Sequence, residues 1–106
     1  MARSKYVSFS FPISAYHPDA LQAIAADEGD RALRREYTRL RDIAQKRLMR
    51  LEQSEFAGTQ IVRYNRDRFK PLREVKSTSE LSHLLGDVAR FLVSQKSTVS
   101  GQREYV

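Results

Sequence analysis

The longest regular pattern of apolar positions runs through the middle of the chain. From Asp30 to about Gln53 there is no glycine or proline, and apolar residues recur at spacings of three and four. This spacing places them along one side of an α-helix, and Asp30 is a suitable N-cap. The sequence therefore predicts a long amphipathic helix whose apolar stripe consists of Leu33, Tyr37, Leu40, Ala44, Leu48 and Leu51.

A second helical pattern follows near the C-terminus. Ser77 and Glu80 have the spacing of a capping box, in which serine caps the helix and glutamate occupies its third position. Apolar residues then repeat helically from Leu81 to Leu92, and we expect the helix to reach about Lys96, with Gly86 as a weak point. Its broad apolar face predicts packing against the long helix, with a groove for a partner as the alternative.

The N-terminal segment has a different period. From Tyr6 to Phe11 bulky apolar and small polar residues alternate, which is typical of a half-buried strand. Such a strand would pair with residues 59–64 or with another chain; unpaired, it would be an extended arm. Pro18 suits the first turn of a helix and Gly29 its end, so residues 18–27 are predicted to form a short helix.

Between the two longer helices the pattern is unclear. Gly58 marks a break, residues 59–69 follow neither period, and Pro71 favours extended or turned backbone. We predict a connecting loop over residues 58–76, with a short strand in it as an alternative. The predicted fold class is mainly α. Residues 1–17 are predicted to form an extended arm, with a strand as the alternative, and residues 18–106 a single helical domain.

Composition excludes several classes of function. The 106 residues include no cysteine, which removes disulfides, thiolate metal sites and thiol nucleophiles. His17 and His83 are isolated, and the four glycines are dispersed rather than gathered in a phosphate-binding loop. We therefore predict no metal, no cofactor and no enzyme activity. Without an apolar run of roughly 20 residues or a signal peptide, we also predict no membrane association and a cytoplasmic protein.

The charge is concentrated in the middle of the chain. Lysine and arginine number 19 against 13 acidic residues, for a net charge of +6. Residues 31–50 contain eight basic and two acidic residues, and residues 63–76 contain six and two, so the remaining chain is net acidic. A clustered basic region of this kind is typical of proteins that bind nucleic acid or another polyanion.

The predicted contact residues follow from this clustering. Two like-charged pairs, Arg35/Arg39 and Lys46/Arg50, are spaced i,i+4, which destabilises a helix unless a counter-charge is supplied. Phosphates would supply it, and binding would then be salt-sensitive. The alternative is a solvated face that keeps a small protein in solution. The predicted phosphate contacts are Arg34, Arg35, Arg39, Arg41, Lys46, Arg47 and Arg50, supported by Arg63, Arg66, Arg68 and Lys70.

Two aromatic residues accompany the arginines of the connecting segment. Tyr64 and Phe69 are candidates for stacking on bases, as in single-strand binders that combine aromatics with a cationic groove. The alternative is a surface loop whose aromatic side chains pack into the core.

Parts of the sequence resemble small basic bacteriophage proteins, and in outline the genome-linked terminal proteins of protein-primed phages. The resemblance lies in MARS at residues 1–4, in EYTRLRDIAQKR at residues 36–47, and in the Pro71-Leu72 linker that leads to residues 77–81 and a helix containing Phe91. It covers about half of the chain. It implies DNA and a polymerase as partners, and a serine, threonine or tyrosine hydroxyl linked to the first nucleotide. No motif assigns that hydroxyl to a residue.

Two functions remain open from the sequence. The first is a small, phage-associated nucleic-acid-binding protein, with DNA or RNA and single or double strand undecided. The second is a structural or adaptor protein of a virion or similar assembly. In that case the basic face would meet an acidic protein surface, and the segment from Tyr6 to Phe11 would add to the sheet of a virion protein or of another copy of the chain.

Overall fold

The computed structural model describes the backbone of residues 7–53 and 60–103, and the side chains of residues 7–53 and 62–94. The predicted mainly α class is confirmed, because the described residues form four α-helices and no strand. The helices are α1 (Pro18–Glu28), α2 (Arg31–Glu52), α3 (Gln60–Arg68) and α4 (Thr78–Arg103), and short 3-10 helices occupy Ile13–Ala15 and Leu72–Glu74.

The long helix α2 packs on α4, as its apolar stripe predicts. Leu33, Leu40 and Leu48 are buried, and Leu51 at the end of the stripe is half-buried. Helix α1 lies against both α2 and α4. A single core therefore forms around the buried sides of these three helices.

The predicted helix boundaries are confirmed at several ends. Pro18 opens α1, and Gly29 ends it with a φ of 88°, a left-handed conformation that favours glycine. The Oγ of Ser77 accepts a hydrogen bond from the backbone N–H of Glu80 at 3.1 Å, and Glu80 in turn accepts one from the N–H of Lys76 at 2.6 Å. The backbone of α4 then continues to Arg103, beyond the expected end at Lys96.

The predicted loop over residues 58–76 is wrong, because much of it is helical. Val62, Asn65 and Phe69 are buried at spacings of three and four, so α3 has its own inner side. The Phe69 ring lies 5.8 Å from that of Phe91. The buried polar residue Asn65 and the shortness of the helix hid this period in the sequence.

The described part of the N-terminal arm is folded onto the helices rather than paired as a strand. Val7 is buried, and Phe9 and Phe11 pack against the core. The backbone N–H groups of Ser10 and Phe11 donate to side chains instead of a neighbouring strand. Tyr6, at the start of the predicted strand, lies outside the described residues.

Gly86 allows close contact between α4 and the start of α1. A Cβ at this position would lie 3.2 Å from the carbonyl oxygen of Tyr16. The same carbonyl accepts a hydrogen bond from Arg90 at 3.3 Å. The glycine that looked like a weak point of the helix is therefore where α4 meets the backbone beside α1.

Candidate nucleic-acid interface

The side of α2 that faces away from α4 is strongly cationic. Its exposed residues are Arg31, Arg34, Arg35, Thr38, Asp42, Lys46, Met49 and Arg50. Five of these eight are cations and one is an acid. We call Arg31, Arg34, Arg35, Lys46 and Arg50 the cationic face. At 1.5 Å per residue, its ends lie about 28 Å apart along the helix axis.

Among the residues that the structure describes, most of this face has no carboxylate as an ion-pair partner. Lys46 pairs with Asp42 at 3.2 Å, but both side chains are well exposed. Arg34, Arg35 and Arg50 form no ion pair with any carboxylate in the described residues. Surface pairs such as Lys46–Asp42 are weak, so an anionic ligand could compete with Asp42 for the lysine.

Arg47 lies beside this face and is half-buried. Burial lowers the pKa of its guanidinium, and the nearby charge of Arg50 lowers it further. Two cations therefore repel each other at the C-terminal end of α2.

Two of the predicted contact residues on α2 instead hold the fold together. Arg39 is turned toward Glu36, to which it donates at 2.8 Å, and toward the carbonyl of Ser8, also at 2.8 Å. The Nε of Arg41 donates to the carbonyl of Phe69 at 2.7 Å. Arg39 thereby fastens the arm, and Arg41 fastens the end of α3.

The predicted supporting cations of the α3 segment are mostly paired as well. Arg66 pairs with Glu52 of α2 at 2.9 Å, and Lys70 pairs with Glu80 of α4 at 2.6 Å. Arg68 pairs with Asp87 of α4. Arg63 is exposed and forms no ion pair with the described residues. These contacts position α3 between α2 and α4, so three of the four cations have structural roles.

The two predicted stacking residues differ in position. Phe69 is 1% exposed and packs in the core, so it is not available to stack on a base and that prediction is wrong. Tyr64 is 61% exposed, and the guanidinium carbon of Arg68 lies 5.2 Å from its ring centroid. Tyr64 thus remains a candidate for stacking on a base, while Phe69 does not.

Glu36 is the centre of a polar cluster that the sequence pattern does not predict. Its carboxylate is 2% exposed and accepts hydrogen bonds from the backbone and Oγ of Ser10, from the hydroxyl of Tyr16 and from Arg39. Burial raises the pKa of this carboxyl, but the hydrogen bonds outweigh burial and the net pKa is lowered. The sequence feature that could have predicted this cluster is the position of Glu36, an acidic residue directly beside the apolar stripe of α2.

Little else in the described residues offers chemistry. No group of three or more histidine, aspartate or glutamate side chains there could hold a metal ion. An open cleft of about 260 Å³ between α1 and α4 is lined largely by small side chains. None of the described helices is both long enough and apolar enough to span a membrane.

Comparison with protein-family models, with curated proteins and with solved structures found no match for this chain.

Proposed function

We propose that the chain binds nucleic acid through the phosphate backbone, using the cationic face of α2. One observation carries this: five of the eight exposed residues of α2 are cations, against the single acid Asp42. A polyanion supplies the missing counter-charge, and arginine binds phosphate with paired hydrogen bonds.

The repulsion at the end of α2 supports the same function. Arg47 and Arg50 are close enough for one charge to lower the pKa of the other. A face with only a solubilising role gains nothing from such a pair, whereas a phosphate between the two guanidinium groups would relieve the repulsion.

The arm gives less support to the assembly alternative. To add to the sheet of a neighbour, residues 8–11 need free backbone hydrogen-bonding groups. The carbonyl of Ser8 and the N–H groups of Ser10 and Phe11 already bond within the chain. Strand addition would first have to break these bonds. The phage association and the likeness to terminal proteins remain predictions from the sequence.

Fluorescence anisotropy with labelled oligonucleotides, titrated across salt, tests the proposed binding. The affinity of the wild type should fall steeply as the salt concentration rises. In a plot of the logarithm of the binding constant against the logarithm of the salt concentration, the slope should be about 0.7 to 0.9 per phosphate contact. The double variant Arg35→Ala/Arg50→Ala should lower that slope by about 1.5.

Arg90→Ala is the control variant. Arg90 is an exposed arginine on α4, which covers the buried side of α2, so its removal changes the net charge without touching the cationic face. Its salt slope should match that of the wild type. Absent binding would refute nucleic-acid binding, and salt-insensitive binding would refute the proposed phosphate contacts. In the first case a pull-down with acidic proteins would test the other partner class.

A further inference from the structure

Tyr64 is the most exposed large hydrophobic side chain among the described residues. It lies on the outer side of α3, opposite the buried Val62 and Asn65. Isolated exposed aromatics are common on protein surfaces. The cations around this one distinguish it, with the exposed Arg63 next to it and the Arg68 guanidinium against its ring.

Arg68 is held in place beneath the tyrosine. Its guanidinium forms an ion pair with Asp87 of α4, which fixes its position. Its Nε is buried and has no hydrogen-bond partner among the described residues. The guanidinium carbon lies 5.2 Å from the centroid of the Tyr64 ring. The Tyr64 ring thus rests on a fixed support, which lowers the entropic cost of binding against it.

Helix α3 is also fastened at the end of the cationic face. The ion pair between Arg66 and Glu52 joins it to α2 two residues after Arg50. A strand whose phosphates contact the C-terminal end of α2 therefore passes close to α3.

From this arrangement we infer that Tyr64 stacks on an unpaired base, so that the nucleic acid bound is single-stranded. Inside an undistorted duplex both faces of each base are covered by neighbouring bases, and inserting a side chain between them costs unstacking energy. An unpaired base offers its face to an aromatic side chain without that cost. Arg63 would contact the adjoining phosphate. This inference rests on the proposed function, because the cationic face supplies the phosphate contacts that hold the strand.

The test compares two single-stranded probes that share a backbone and differ in their bases. One is a deoxythymidine oligonucleotide of about 12 nucleotides, within the site sizes of single-strand binders. The other has the same length but consists of abasic residues. The wild type should bind the base-bearing strand about 5- to 140-fold more tightly. Tyr64→Ala should lose this preference, and Tyr64→Phe should keep it.

A second variant reports on the ring directly. The chain contains no tryptophan, so Tyr64→Trp introduces a single tryptophan at the site, which can be excited selectively over the remaining tyrosines. Its emission should be quenched by the base-bearing strand and unchanged by the abasic strand.

The outcomes separate the two proposals. Stacking would be overturned if binding is salt-sensitive but wild type and Tyr64→Ala each bind the base-bearing and the abasic strand equally well. Phosphate binding would then remain intact. A preference for duplex over single strand would also overturn it. If the wild type binds neither the single strands nor a duplex at any salt concentration, the proposed function fails and stacking fails with it.

Discussion

The hydroxyl of Tyr16 donates a hydrogen bond of 2.5 Å to the carboxylate of Glu36, and both groups are buried. Tyr16 lies just before α1, and Glu36 lies on the second turn of α2. Ser10 donates to the same carboxylate. One side chain of the basic helix therefore closes the arm and the start of α1 onto α2.

Glu36→Ala should be strongly destabilising. It leaves the donors of Tyr16, Ser10 and Arg39 without their acceptor, and unpaired buried donors and broken buried ion pairs are costly. We expect a loss of about 3 kcal/mol in the free energy of unfolding, measured by urea titration. Glu52→Ala, which breaks the more exposed pair with Arg66, should cost less than about 1 kcal/mol. Equal losses for the two variants would contradict the central role of Glu36.

The same carboxylate should make stability depend on acid pH. Its pKa in the folded chain is below the ordinary 4.5, so near pH 4 the unfolded chain binds more protons than the folded one. Stability from Glu36 is then fully present above pH 4.5 and is lost as the pH falls through the lower folded pKa.

The measurement is the difference in unfolding free energy between wild type and Glu36→Gln at pH 6 and at pH 3. The difference should shrink at pH 3. Glu80, whose pKa is lowered by its hydrogen bond from Lys70, contributes equally to both proteins and cancels. A difference that is constant with pH would show that the folded chain does not favour the ionised form of Glu36.

Tyr37 should limit stability at alkaline pH. Burial raises its pKa to about 12, and its hydroxyl donates to the carbonyl of Lys70 at 2.7 Å, which a phenolate cannot do. Stability from Tyr37 is present below pH 10 and declines as the pH rises toward 12.

Tyr37→Phe should lose about 1 kcal/mol at neutral pH through the missing hydrogen bond. It should also remove a late-ionising phenol from the ultraviolet titration of the folded protein. If the absorbance change above pH 11 is the same in both proteins, the buried position of the Tyr37 hydroxyl is wrong.

Gly86→Ala should not stabilise α4, although alanine is the better helix former by about 1 kcal/mol. The added Cβ would lie 3.2 Å from the backbone carbonyl of Tyr16. That backbone is held by Arg90 and, through the Tyr16 side chain, by Glu36. Overpacking against a fixed backbone costs about 1 to 3 kcal/mol, so the midpoint of thermal unfolding should fall. A higher midpoint would show that the loop before α1 yields easily.

The sequence predicted the long helices well because each repeats its apolar period over several turns, and in α4 this period continues on both sides of Gly86. Helix α3 spans Gln60–Arg68, and in so short a helix one buried asparagine is enough to obscure the pattern. The contact residues were harder to predict. Arg35 and Arg39 are equivalent in a helical pattern, yet Arg39 bonds to Ser8, 31 residues away in sequence, and Arg35 is exposed. Such pairings depend on tertiary packing, which local spacing does not encode.

Asp87 is shared by two arginines, Arg68 of α3 and Arg90 of its own helix. Losing this one carboxylate would therefore release two positive charges at once and loosen the attachment of α3. A change at Asp87 alters both the surface charge and the stability of the protein. A variant in which Asp87 is removed to strengthen the attraction to polyanions would therefore weaken the scaffold that presents Tyr64.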